Sequence, residues 1–142
     1  MELKVKLLIA DAKMPTKAHD TDAGFDFYAT NDGFYKNGYY QYNTGVAMEI
    51  PVGYVGLIFP RSSISDKNLI LTNCVGVIDS GYRGEIAFRF KTISSAIICN
   101  GYRKGDKIGQ MIIMPYPEIK LVQVTELADS VRGVGGFGSS DR

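Results

Sequence analysis

The sequence predicts an all-β sandwich or barrel, and two observations carry that reading. Apolar residues recur with a period of two, and turn chemistry recurs at short, regular intervals. At the N-terminus Leu3, Val5 and Leu7 alternate with Lys4 and Lys6, which predicts a strand with one buried face. Ala23 to Ala29 predicts a strand with one carboxylate, Asp26, among apolar neighbours. Tyr54 to Phe59, Cys74 to Ile78, Ile108 to Met114 and Lys120 to Val124 are short runs rich in β-formers. Ile86, Phe88 and Phe90 alternate with Ala87, Arg89 and Lys91, a second half-buried strand. Between these runs lie Asn31-Asp32-Gly33, Lys36-Asn37-Gly38, Pro51-Val52-Gly53, Ser80-Gly81, Asn100-Gly101 and Lys104-Gly105-Asp106, all good turn formers. One brief helix is expected around Ser62 to Asn68, where serines can cap a single turn.

The 142 residues suit one domain, and a chain of this size buries roughly 70% of its unfolded surface without a disulfide or metal staple. Sixteen basic residues oppose fifteen acidic ones, for a formal charge of +1. That balance gives no electrostatic footprint for stable nucleic-acid or membrane binding. Cys74 and Cys99 are too few for a disulfide scaffold or a zinc site and read as reduced thiols. No signal peptide or membrane-length apolar run is visible, so a soluble cytoplasmic domain is expected.

From Arg132 the chain reads Arg-Gly-Val-Gly-Gly-Phe-Gly-Ser-Ser-Asp-Arg, a composition that only Phe137 could contribute to a core. A frayed terminus is one reading. A mobile lid over residues 132–142, following a β domain of residues 1–131, is the other: glycine N–H groups approach phosphate closely, serines donate and Arg132 supplies charge. A lone Phe in such a tail suits stacking on a base.

Three further segments carry chemistry. Asp26 within an apolar strand needs a partner, and a satisfied buried carboxylate and a metal-associated one both remain open. Pro60-Arg61-Ser62-Ser63 combines a guanidinium, hydroxyls and helix-start N–H groups, an anion site or equally a serine cap with a surface arginine. Asn73 to Glu85 sets two apolar arms around a turn holding Asp79 and Tyr82; Asp79 caps the turn or, near a phosphate, deprotonates a water. Lys104 to Gln110 then gives a tight turn into a strand, with Gln110 able to hydrogen-bond a ligand.

The order of these fragments is specific. Ala-Gly-x-Asp, Arg-Ser-Ser, Gly-x-Ile-Asp-x-x-Tyr-Arg-Gly-Glu, Gly-Asp-x-Ile-x-Gln and Arg-Gly-x-Gly-Gly-Phe-Gly-Ser, spread from Ala23 to Ser140, resemble the five ordered motifs of the trimeric deoxyuridine triphosphatase family. The resemblance implies a distorted β jelly roll, a homotrimer with shared active sites, and hydrolysis of dUTP to dUMP and pyrophosphate with Mg²⁺. That activity keeps uracil out of DNA and supplies dUMP for thymidylate. It further implies that Asp79 is the base for the attacking water and that Asp26 serves the magnesium through a metal-bound water. Arg61, Ser62, Ser63 and Gln110 would hold phosphates, and Asp106 would orient neighbours. Asn73 and Gly76 would belong to a uracil pocket, with Tyr82 under the deoxyribose. Arg132, Gly138, Ser139 and Ser140 would close on the β- and γ-phosphates while Phe137 covers the base. Ser63, Lys107, Gly109 and Asp141 depart from the commonest pattern, and Asp141 puts a negative charge beside the γ-phosphate position. A dCTP deaminase relative and a non-catalytic nucleotide-sensing regulator are the alternatives; the glycine-rich Phe tail argues against the first and retention of Asp79 against the second.

Overall fold

The computed structural model describes residues 1–93 and 100–136. Among the described residues ten strands form three antiparallel sheets. β1 (Lys4–Leu7) pairs with β5 (Val46–Glu49). One four-stranded sheet runs β2 (Phe25–Tyr28), β10 (Lys107–Pro115), β6 (Tyr54–Phe59), β8 (Gly76–Ile78). The other runs β3 (Phe34–Lys36), β4 (Tyr39–Asn43), β9 (Ala87–Thr92), β7 (Leu69–Leu71). The all-β expectation is met, and no helix among the described residues is long and apolar enough to cross a membrane.

The inner faces of the two larger sheets meet in an aromatic core. Phe88 and Phe90, the buried members of the β9 alternation, contact Phe27 from β2 and Tyr42 from β4. Ile58, Ile108 and Met111 complete the layer from β6 and β10. Side chains on the opposite pleats, such as Gln41, Asn43 and Arg89, point away from that core. β3 and β4 are joined through Asn37 and Gly38, both at positive φ, the backbone that a tight right-twisting hairpin requires.

Four expectations need correction. Lys120 to Val124 forms no strand: among the described residues no edge pairs with it, and Leu121, Val122 and Val124 are exposed. β-propensity without a partner strand does not make a strand. β1 forms, but its apolar face is not fully covered; Val5 is half-buried and Leu7 is exposed, because β1 and β5 make a separate two-stranded ribbon. The run from Cys74 pairs only from Gly76, since Cys74 takes a positive φ of 58° and belongs to the turn. The helix is a single 3-10 segment, Ser62–Asp66, whose N-cap is Arg61 with no side-chain cap bond; the Ser65 hydroxyl donates back to the Ser62 carbonyl at 2.9 Å. Cys74 is a free, exposed thiol, and Cys99 lies outside the described residues.

Candidate active site

Sheet register assembles the first cluster. On β10, Gln110 stands opposite Asp26 of β2 on one side and Phe59 of β6 on the other. Arg61 follows two residues beyond Phe59, so three distant segments deliver Asp26, Arg61 and Gln110 to one end of the sheet. A register shift between Lys107 and Gly109 re-aims β10 there, as bulges do. It brings the Lys107 ammonium within 2.8 Å of Asp26 Oδ2, while Arg61 Nε donates to Asp26 Oδ1 at 2.9 Å. Asp26 is 8% exposed, and a carboxylate so buried requires this pairing. The hydrogen bond to Asp26 also holds the Lys107 ammonium above its ordinary pKa.

The cleft beside this cluster, about 340 Å³, is lined by Asp22, Gly24, Asp26, Arg61, Ser62 and Gln110 among others. Gly24 has a steric reason: a Cβ there would stand 2.4 Å from Gln110 Oε1, whose amide donates across to the Pro60 carbonyl at 3.2 Å. Ser63 faces a neighbouring cavity of about 440 Å³ with Lys67, Tyr102 and Lys107. Arg61 borders both. Asp106 closes its own turn by accepting from the Arg103 N–H at 2.7 Å.

The second cluster is built on the loop after β8. Asn73, Gly76, Tyr82 and Glu85 line a cavity of about 490 Å³ together with Gln41 and Arg89 on the outer face of β4 and β9. Gly76 lies against Ile58, where a Cβ would be 2.3 Å from its Cγ1, so the wall can only be glycine. Tyr82 is pinned through its hydroxyl, which donates to the Glu85 carbonyl at 2.9 Å, and its ring lies over Gly84. Arg83 ties the turn by donating to the carbonyls of Ser80 and Tyr82. Asp79 heads this turn, exposed, its carboxylate making no hydrogen bond or ion pair among the described residues. An unspent carboxylate beside a concave pocket can accept a proton from water.

The clusters share no lining residue. Arg132 joins neither; it is exposed, and its Nε donates to the Gly135 carbonyl at 3.0 Å. Phe137, Gly138, Ser139 and Ser140 lie outside the described residues. Sequence reasoning missed Lys107 as a partner of Asp26, although its charge was in view. It also passed over Gln41, Asn43 and Arg89, which nothing in the sequence marks.

A β fold with Asp26, Arg61, Ser62 and Gln110 around a cleft at one sheet end, and a glycine-walled pocket beside Tyr82, defines an all-β protein of the jelly-roll class. The chain belongs to the dUTPase family, whose family model matches residues 10–141. It is 40% identical over 147 residues to the deoxyuridine 5′-triphosphate nucleotidohydrolase of Clostridium tetani, covering 99% of this chain and 97% of that protein. The Rhodococcus erythropolis enzyme of the same name is 37% identical, covering 99% and 86%. Among solved structures, a mutant dUTPase of Staphylococcus bacteriophage 80alpha with dUpNHpp is 32% identical with a TM-score of 0.80, covering 98% of each chain. A mutant dUTPase from phage phi11 of S. aureus, described for its coordination of a structural Mg(II) ion, is 30% identical with a TM-score of 0.73, covering 89% of this chain and 98% of that one.

Proposed function

We propose that the protein hydrolyses dUTP to dUMP and pyrophosphate, and does so as a homotrimer. The observation that carries this is the free Asp79 carboxylate at the head of the turn that also presents Tyr82 to a pocket of nucleoside size. In this reading Asp79 takes the proton of a water as that water attacks the α-phosphorus in line; the α–β bridging P–O bond breaks and its electrons leave with pyrophosphate. Arg61, Ser62 and Gln110 bind and orient the phosphate chain, with Ser63 on its far side. Asn73 and the backbone around Gly76 hold uracil, and the Tyr82 ring excludes a 2′-hydroxyl by shape. Asp106 keeps the turn before β10 closed and so orients Lys107 and Gln110.

Mg²⁺ fits the residues in one way. Among the described residues no group of three or more metal-ligating side chains exists, and both oxygens of Asp26 are engaged by Arg61 and Lys107. Asp26 would therefore hold the ion only at its outer sphere, with triphosphate oxygens as direct ligands, the usual preference of magnesium. When bound, the ion neutralises charge on the departing pyrophosphate.

Sharing of sites between subunits is supported by the separation of the two clusters and by Arg132, which among the described residues bonds only within its own turn. On this reading Arg132, Gly138, Ser139 and Ser140 close on a neighbour's β- and γ-phosphates and Phe137 on its base. The cytoplasm is the expected location, where the nucleotide pool lies, and the products serve uracil exclusion and thymidylate supply. The test is pyrophosphate release from each common dNTP and from UTP, with and without Mg²⁺. Selective, Mg²⁺-dependent release from dUTP is expected; ammonia from dCTP, or no turnover of any nucleotide, would replace the reading by a deaminase or a sensor.

A further inference from the structure

Four side chains on the outer face of β4, β9 and the loop before β9 form one directed chain of hydrogen bonds. Arg89 Nε donates to Gln41 Oε1 at 3.0 Å. Gln41 Nε2 donates to Asn43 Oδ1 at 3.0 Å, and Asn43 Nδ2 donates to Glu85 Oε2 at 2.9 Å. Glu85 Oε1 closes the chain by accepting the backbone N–H groups of Thr44 at 3.2 Å and Gly45 at 2.7 Å. The direction is fixed by its ends, because a guanidinium only donates and a carboxylate only accepts, so neither amide can flip without breaking two bonds. The donor end is itself fixed, with the Arg89 guanidinium 4.8 Å from the centre of the Tyr39 ring.

The chain's position gives it a task. Arg89, Gln41 and Glu85 all line the pocket assigned above to the nucleoside; Asn43 does not. Glu85 is also the residue whose carbonyl holds the Tyr82 hydroxyl. A carboxylate held by three donors fixes the backbone of its own residue, and through it the ring that forms the sugar wall. We propose that Arg89, Gln41 and Asn43 are positioning residues that act through Glu85 to set Tyr82, and hence the affinity and sugar selectivity of the pocket. The inference rests on the proposed dUTP reading for its kinetic consequence, though not for its structural one.

Asn43 is the discriminating probe, because it touches no pocket surface and acts only through its two partners. Asn43→Leu keeps the approximate shape and removes both bonds. It is expected to raise KM for dUTP roughly tenfold, since small displacements of positioning groups carry such effects, and to lower the dUTP-over-UTP preference by a similar factor. kcat should stay within about twofold, because the Asp79 turn has its own ties through Arg83. In the double variant Asn43→Leu/Glu85→Gln the losses should not multiply, since both changes break one chain. If Asn43→Leu fails to fold, Gln41→Met breaks the same chain, and because Gln41 itself lines the pocket that variant is judged by the exchange measurement alone. Amide hydrogen exchange across residues 79–85 of the ligand-free protein gives an activity-independent measure, expected to be faster in either variant. Unchanged exchange with unchanged KM and preference overturns the proposal, as do multiplying effects in the double variant. A wild-type protein that releases no pyrophosphate from dUTP overturns the functional reading instead, and leaves the exchange experiment to judge the chain.

Discussion

Gly84→Ala separates the sugar-selecting role of Tyr82 from the stability of the fold. A Cβ at position 84 would stand 2.4 Å from Tyr82 Oη, 2.6 Å from Cζ and 3.0 Å from Cε2. Ordinary contact begins near 3.4 Å, so the ring has to retreat by about 1 Å. Tyr82 is 44% exposed and the clash falls at the far end of its side chain, so the ring swings out and the backbone stays. The swing breaks the hydroxyl bond to the Glu85 carbonyl, a loss of about 0.5–1.5 kcal/mol. For a chain of this size that corresponds to a Tm lower by roughly 2–6 °C. The functional loss is larger in kind, because shape alone is proposed to exclude the 2′-hydroxyl. The dUTP-over-UTP ratio of kcat/KM should fall by at least about tenfold, the scale at which pocket shape discriminates small groups. Pyrophosphate release from both nucleotides, alongside thermal melts, reads the two effects separately. In a Tyr82→Ala background the added methyl meets nothing of the ring and should cost no further selectivity. A Gly84→Ala protein that melts normally and keeps its preference would refute the reasoning, as would equal further loss in the Tyr82→Ala background.

Asp79→Asn should slow dUTP turnover by ~10²–10⁴ while a non-hydrolysable dUTP analogue still binds, since the amide keeps the shape and cannot take the proton; near-normal turnover would remove Asp79 from the role of base. Gly109→Ala should destabilise by about 1–3 kcal/mol, read as a lower denaturant midpoint, because its Cβ would stand 2.1 Å from Cε1 of Phe88, a ring with 0% exposure and nowhere to go. Tyr102→Phe should stabilise by about 1 kcal/mol at neutral pH, as the buried Tyr102 hydroxyl has no partner among the described residues. Burial pushes that phenol up to about 12; between its unfolded value near 10 and the folded one the unfolded chain holds fewer protons, so stability falls as pH rises through that window. The Phe variant should show a shallower alkaline decline in melting experiments. Finally, co-refolding equal amounts of Asp79→Asn with a chain truncated before Arg132 should restore roughly a quarter of full activity if the tail serves a neighbour, as one half times one half of sites combine both parts; background activity in proven hybrid trimers would place the tail on its own chain.

The legibility of the fold followed from how unequal the two faces of each strand are. β9 is legible in the sequence because Phe88 and Phe90 are sealed in the core while Arg89 and Lys91 are exposed. β3 and β4 showed only as the turn between them: Phe34, Tyr35, Tyr39 and Tyr40 are aromatic on both faces, so no period of two marks them. The run at Lys120 to Val124 has strand composition and no strand, since pairing is a property of two segments and composition belongs to one. For the site, the order of the motifs is visible along the chain, and the structure adds that the two oxygens of Asp26 carry two cations. The chain of amides from Arg89 to Glu85 was invisible. Two of its three side-chain links join residues 48 and 42 apart, and glutamine and asparagine on an outer strand face look like any solvated pair.

The unpaired C-terminal segment ties the proposed assembly to the proposed chemistry. Ile119, Leu121, Val122, Val124 and Leu127 lie along residues that form no strand, with exposures from 56% to 91%. Apolar surface of that extent is a driving force for association, at about 25 cal/mol for each Å² that a neighbour covers. The same segment leads directly to Arg132, whose guanidinium, among the described residues, bonds within its own turn and meets neither cluster. In a closed ring, docking residues 119–127 on the next subunit would fix where Arg132 and the residues after it arrive. Burial and site completion are then one event, and the free energy of the first positions the second. The consequence is a mass-action one: dilution below the assembly constant should remove activity and cooperative stability together rather than in sequence.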